Sequence, residues 1–199
     1  MLQNVTELYG HRIAGTDGEL GLVTDLYFDD LSWAVRYLMV ETGEWLAGRK
    51  VLISPQSFGQ SDPAVKSLRV GLTRKQVEGS PALVPDGPVT RDYESLYNRY
   101  YDWPDYWGGR TNLTPVESHL RSTKAVAGYS VEAEDGLIGT VSGFLVNDAS
   151  WAIRRISVAT GPWNVGKEVD VPVGKVESIQ HPKSTIFMKL TKTEVQRLK

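Results

Sequence analysis

Displaced by 118 residues, the chain matches itself without a gap. Gly10 falls on Gly128, Asp17-Gly18 on Asp135-Gly136 and Gly21 on Gly139. At the same offset Asp30, Ser32, Trp33, Ala34 and Arg36 fall on Asp148, Ser150, Trp151, Ala152 and Arg154. Thr42, Gly43, Trp45 and Gly48 then fall on Thr160, Gly161, Trp163 and Gly166, and Leu72-Thr73 and Val77 on Leu190-Thr191 and Val195. Glycine answers to unusual backbone angles and tryptophan to a large packing volume, so matches of both kinds at one offset mark an internal duplication. Such a chain is expected to form a first small domain over residues 1–80 and a second over 118–199. Residues 81–117 between them form a Pro- and aromatic-rich linker with one helix.

Each copy reads as mainly β. Tyr9 to Ala14 is a short extended run, Asp17-Gly18 a hairpin turn signal, Leu20 to Phe28 a second strand, and Trp33 to Glu41 a third. Val51 to Ser54 and Val65 to Val70 complete the first set, with Trp151 to Ala159, Val169 to Val173 and Thr185 to Leu190 as counterparts in the second. Trp33 and Val35 lie in one alternation phase and Leu38 and Val40 in the other. Trp151, Ile153, Ile156 and Val158 repeat that switch, which predicts a bulge or bend of the kind small closed barrels need. Thr73-Arg74-Lys75-Gln76 and Thr191-Lys192-Thr193-Glu194 predict a capped helical turn at the end of each copy. The expected architecture is two tandem small β-barrels, each ending in a short helical turn, joined by an aromatic-rich helical linker.

In the linker, prolines and a glycine between Ser80 and Asp92, Pro85 and Gly87 among them, break regular structure. Tyr93, Leu96, Tyr97, Tyr100 and Tyr101 then stand at the spacing of one helical face, before Pro104. Trp103, Tyr106 and Trp107 follow, ahead of Gly108-Gly109. Each such ring can bury about 150–250 Å2 of surface, so these rings must cover something. Either the helix docks on its own barrels, or it anchors a protein partner or a homodimer. The candidate interaction surface is Tyr97, Tyr100, Tyr101, Trp103, Tyr106 and Trp107, joined by Trp45 and Trp163 in their matched Gly-containing loops.

No catalytic, cofactor-binding or metal residue is expected. The chain has no cysteine, which removes disulfides, thiolate metal sites and thiol nucleophiles. His11, His119 and His181 do not recur at the matched positions and have no partners at metal or catalytic spacing, so each reads as a surface or structural histidine. Asp29-Asp30 and Asp148 read as turn acids bonding nearby backbone N–H groups, with Arg36 or Arg154 as possible ion-pair partners. Dinucleotide, P-loop and nucleophile-elbow motifs are absent. Residues 1–111 carry 11 Lys/Arg against 15 Asp/Glu, and residues 112–199 carry 11 against 9. Neither half has the basic excess that nucleic acid binding needs. No segment offers the ~18 apolar residues of a membrane span, and the N-terminus has no basic or apolar leader pattern. A cytoplasmic protein without a membrane span is expected.

These residues resemble a family. Asp17-Gly18-x-x-Gly21-x-Val23, Asp30, Trp33-Ala34-Val35-Arg36-Tyr37-Leu38-x-Val40 and Lys50-Val51-Leu52-Ile53-Ser54-Pro55 look like the PRC-barrel domain. The second copy resembles it through Asp135-Gly136-x-x-Gly139-x-Val141, Asp148 and Trp151-Ala152-Ile153-Arg154. The stretch from Arg91 to Trp107 is similar to the joining segment of bacterial proteins with two such barrels. The resemblance implies a small β-barrel of the kind found in the photosynthetic reaction-centre H subunit and in a ribosome maturation factor, where it serves protein binding or assembly. Neither specific role is carried over. Gly143 where the first copy has Asp25, and Arg155 where it has Tyr37, imply barrels with different surfaces. The expected function is a non-enzymatic interaction or scaffold protein with an unnamed protein partner. The alternative is a small-ligand or ion sensor using the Trp45 and Trp163 loops or an interbarrel cleft.

Overall fold

A computed structural model of the chain describes residues 1–59, 66–84, 87–107, 119–164 and 166–198. Val65, Pro85, Asp86, Gly108 and Gly109 lie outside the described residues. In chain order the elements are β1 (Leu2–Asn4), α1 (Val5–Leu8), β2 (Arg12–Ala14), β3 (Glu19–Asp29), β4 (Ala34–Glu41), β5 (Lys50–Ile53) and β6 (Ser67–Arg69). Then come α2 (Arg74–Glu78), α3 (Arg91–Tyr100), β7 (Leu120–Ser122), α4 (Thr123–Val126), β8 (Ser130–Ala133) and β9 (Gly136–Asn147). The chain finishes with β10 (Ile153–Thr160), β11 (Glu168–Pro172), β12 (Val176–Gln180), β13 (Thr185–Met188) and α5 (Lys192–Gln196). The protein is mainly β, as its strand patterning requires.

The strands form two sheets. One runs β5-β4-β3-β2-β6 with β7 also on β3, and the other runs β11-β10-β9-β8-β13-β12 with β1 also on β9. The closed barrels expected above are not what forms: among the described residues neither sheet joins its two edge strands. Closure needs the edges to share a hydrogen-bonded ladder at a fixed stagger. Here Pro172 ends β11 without an N–H to donate, and a single 3-10 turn at Val173–Lys175 carries the chain to the opposite edge, β12. Those edges are linked by chain rather than by hydrogen bonds.

Local signals explain the hairpins. Asp29 Oδ1 accepts from the N–H of Leu31 at 3.0 Å and of Ser32 at 2.8 Å, the turn role expected of it. Asn147 does the same for Ala149 and Ser150, at 3.1 and 2.9 Å. Each turn ends on a tryptophan in the left-handed region, Trp33 at φ 57° and Trp151 at φ 53°. The predicted irregularity is present in β10, whose pairing with β9 shifts register between Ile153 and Arg155 and again between Ser157 and Val158. Both capping boxes form: Thr73 with Gln76 ahead of α2, and Thr191 with Glu194 ahead of α5.

By compactness the chain divides into two units. The first comprises Met1–Tyr9, Asp25–Arg36 and Arg121–Lys199, and the second Gly10–Thr24 and Tyr37–Leu120. In the first unit Val5, Leu8, Leu26, Phe28, Ile138, Phe144, Ile153, Ile156 and Ile186 are buried. In the second Ile13, Leu20, Tyr37, Leu38, Leu52, Ile53, Val77 and Tyr97 are buried. Each such side chain contributes roughly 1.5–3 kcal/mol relative to exposure.

Candidate functional site

The aromatic segment belongs to the second unit, where its placement starts from the cap on α3. Thr90 accepts the Tyr93 N–H at 3.2 Å, which fixes the rotation of the helix. The buried side of α3 carries Arg91, Glu94, Tyr97 and Asn98. Asp102 at φ 56° turns the chain, and the Trp103 N–H donates back to the Asn98 carbonyl at 2.8 Å. Asn98 Nδ2 also donates to Asp105 at 2.9 Å, so the segment after the helix folds back along it.

That return places Tyr106 and Trp107 over Arg91, whose guanidinium carbon lies 5.2 and 4.2 Å from their ring centres. Arg91 Nη1 donates to Glu94 Oε2 at 3.2 Å and to the Tyr106 hydroxyl at 2.8 Å. Glu94 Oε1 accepts from the hydroxyls of Tyr106 at 2.7 Å and Tyr37 at 3.3 Å. Glu94 is 0% exposed and its charge is therefore met by a cation and two phenols. Chemically this is a clamp that fully partners the Glu94 carboxylate, while among the described residues the buried Arg91 Nε has no hydrogen-bond partner.

The expected surface residues divide. Tyr97 is fully buried, donates to the Leu52 carbonyl at 2.9 Å and meets Tyr37 edge-on at 5.2 Å. Tyr101 and Trp103 are half-buried and stack on each other at 4.8 Å. Tyr106 and Trp107 are half-buried on Arg91. Tyr100 remains 43% exposed although its hydroxyl donates to the Gln76 carbonyl at 2.9 Å. Leu96, one turn earlier, is 54% exposed. Asp92, Leu96, Arg99 and Tyr100 thus form the outer face of α3, beside a shallow groove lined by Thr73, Lys75, Gln76, Glu78, Gly79 and Tyr100. Trp45 and Trp163 are half-buried in separate loops, not part of this face. Trp45 Nε1 donates to the Leu20 carbonyl at 2.9 Å with Arg74 over the ring at 5.3 Å. Trp163 Nε1 donates to the Ile138 carbonyl, with Lys192 at 5.9 Å.

Burial sets the phenol chemistry. It raises Tyr37 and Tyr97 far above the ordinary value of 10.0, and the Glu94 charge adds to the shift at Tyr37. Burial also raises Tyr93, and it pushes Tyr101 up to about 12 against the opposing pull of a Ser80 hydrogen bond. A phenol with a raised folded pKa contributes stability that is complete below pH 10 and lost as the pH climbs toward the folded value. Alkaline titration followed by phenolate absorbance and circular dichroism should show these rings ionising only together with loss of β structure. Ionisation of all nine tyrosines near pH 10 with the fold intact would contradict their burial.

A second cluster lies in the first unit, and no local spacing announced it. Asp30 Oδ2 accepts from Arg121 Nε at 2.9 Å and lies 2.8 Å from His181 Nε2. The other ring nitrogen of His181 is 3.4 Å from the Tyr129 hydroxyl. Asp30 thus pairs with Arg121, while Arg36 donates to the Ser32 hydroxyl at 3.2 Å. The cluster ties together residues far apart along the chain, and the hydroxyl beside its imidazole is that of Tyr129. Among the described residues no three His, Asp or Glu side chains gather as a metal-binding group, and no helix is long and apolar enough to cross a membrane. No protein-family model matches the chain, and no curated protein matches it.

Proposed function

We propose that this chain is a non-enzymatic, cytoplasmic interaction or scaffold protein, derived by duplication of a PRC-barrel-like module, and that α3 presents its docking face. The observation that carries the reading is the outer side of that helix. Leu96 and Tyr100 stand one turn apart, both substantially exposed, while the opposite side is fixed by the Arg91–Glu94 clamp. A helix held on its inner side, with an exposed Leu96–Tyr100 pair next to Asp92 and Arg99 and beside a groove, is suited to anchor a protein partner. The sensor alternative draws less support, because both loop tryptophans spend their indole N–H on their own backbone.

Immobilised wild-type protein should capture a reproducible partner that Leu96→Asp loses and Leu137→Asp retains. Leu137 serves as the control because it is equally exposed, on β9. Both substitutions should change stability by less than about 0.5 kcal/mol, as expected at exposed positions. Identical captured sets for wild type and Leu96→Asp would remove α3 as the docking face. No reproducible partner for any of the three would sink the scaffold reading.

A further inference from the structure

We propose that the second half of the chain, residues 119–198, carries a seat for an arm of the first half, and that this seat holds the arm without needing a covalent link to it. The arm consists of Met1–Tyr9 and the hairpin tip Asp25–Arg36, which cluster with Arg121–Lys199 as one compact unit.

Four kinds of contact build the seat. The first is backbone pairing: β1 lies antiparallel on β9 with Leu2, Gln3 and Asn4 opposite Asn147, Val146 and Leu145. The second is a reciprocal pair of hydrogen bonds around the Ala34–Ala152 bridge. Val35 N–H donates to the Trp151 carbonyl and Ile153 N–H to the Trp33 carbonyl, each at 2.7 Å. The left-handed backbone at Trp33 and Trp151 ends both hairpin turns immediately before these bonds. The third is apolar: Phe28 and Phe144 meet at 5.5 Å, and both are buried, as are Val5 and Leu8.

The fourth is polar and satisfied from both sides. Asp25 of the arm accepts from the Ser122 hydroxyl, from the Thr123 hydroxyl at 2.9 Å and from the Lys124 N–H at 3.3 Å, so it caps α4 from outside. The Tyr9 hydroxyl lies 2.9 Å from that of Thr123, and Lys124 sits 4.8 Å above the Tyr9 ring. Asp30 is gripped by Arg121 and His181. An apolar centre, an extended ladder and a rim of paired charges are the parts of a stable protein–protein interface. The partner that fits this surface is the strand-and-hairpin arm itself.

A protease recognition sequence inserted between Gly109 and Arg110, cut in the otherwise intact chain, tests this by native mass spectrometry and size-exclusion chromatography. The two pieces should stay together as a one-to-one complex at the elution volume of the uncut protein, and separate only in denaturant. Pieces that part under native conditions would overturn the proposal. The uncut chain gives an independent reading by native-state hydrogen exchange. The amides of Val35 and Ile153 should be protected as strongly as that of Val141 within β9. Exchange at Val35 and Ile153 on the order of 100-fold faster than at Val141 would mean that the arm lifts off locally, and would equally overturn it.

Discussion

Glu94→Ala is expected to cost about 3–5 kcal/mol, enough to remove a large part of the stability of a domain this size. The residue is completely buried and Arg91 beside it is only 11% exposed, so the alanine leaves a guanidinium held by Tyr106 and Trp107 without the carboxylate that balances it. The hydroxyls of Tyr37 and Tyr106 lose the same acceptor. Two costs add: a buried cation loses its counter-charge, and one buried and one half-buried donor, Tyr37 and Tyr106, lose a partner. Glu94→Gln keeps the phenol acceptor, because its amide oxygen still accepts from both hydroxyls, while its NH2 replaces the oxygen beside Arg91 Nη1 and the cation loses both counter-charge and acceptor. Equilibrium unfolding in urea should order the proteins wild type, Glu94→Gln, Glu94→Ala in falling stability. A Glu94→Ala protein within about 1 kcal/mol of wild type would show that the clamp does not hold the segment down. The same variant should release Tyr106 and Trp107 from Arg91, which tryptophan fluorescence reads directly.

This clamp also shows why the candidate site was only half legible from residue order. Aromatic spacing announced a helix with one side to bury, and α3 is present over Arg91–Tyr100. It did not announce the rotation. A stripe from Tyr93 through Tyr101 is wide, and the side turned inward is centred on Glu94, Tyr97 and Asn98, which moves Leu96 and Tyr100 outward. Charged residues are ordinarily read as solvent-facing, so a buried Arg–Glu pair gives no local signal. The Asp30, Arg121 and His181 cluster is hidden for another reason: its members are far apart along the chain and only folding brings them together. Three-residue strands such as β1 and β7 are too short to show periodicity, so residue order gives no signal for their pairing with β9 and β3. What residue order did convey was local geometry. The Asp29 turn, both capping boxes and the bulged strand β10 each follow from chemistry within a few neighbours.

Gly21→Ala should be the most damaging single-methyl change in the second unit, with a loss of about 2–5 kcal/mol. A Cβ at Gly21 would stand 2.1 Å from the Glu41 carbonyl oxygen and 2.9 Å from Thr42 Cα, atoms of the backbone that cannot rotate away. The backbone there also sits at φ 147°, a region that L side chains avoid. Overpacking alone costs about 1–3 kcal/mol and the backbone angle adds roughly 1–2. Gly10 separates the two effects, since it too has positive φ, 78°, but an added Cβ meets nothing within 4 Å. Gly10→Ala should therefore lose only about 1–2 kcal/mol. In the first unit Gly139 faces Thr160 across the β9–β10 ladder, and its Cβ would stand 2.1 Å from the Ala159 carbonyl oxygen. Gly139→Ala should accordingly approach Gly21→Ala in cost. Urea midpoints for the three variants decide the matter. Near-equal losses at Gly10 and Gly21 would mean that the close approach relaxes freely. Glycine recurs at these two matched positions for a reason visible only in three dimensions: at each, a strand passes so near a neighbouring carbonyl that no side chain fits.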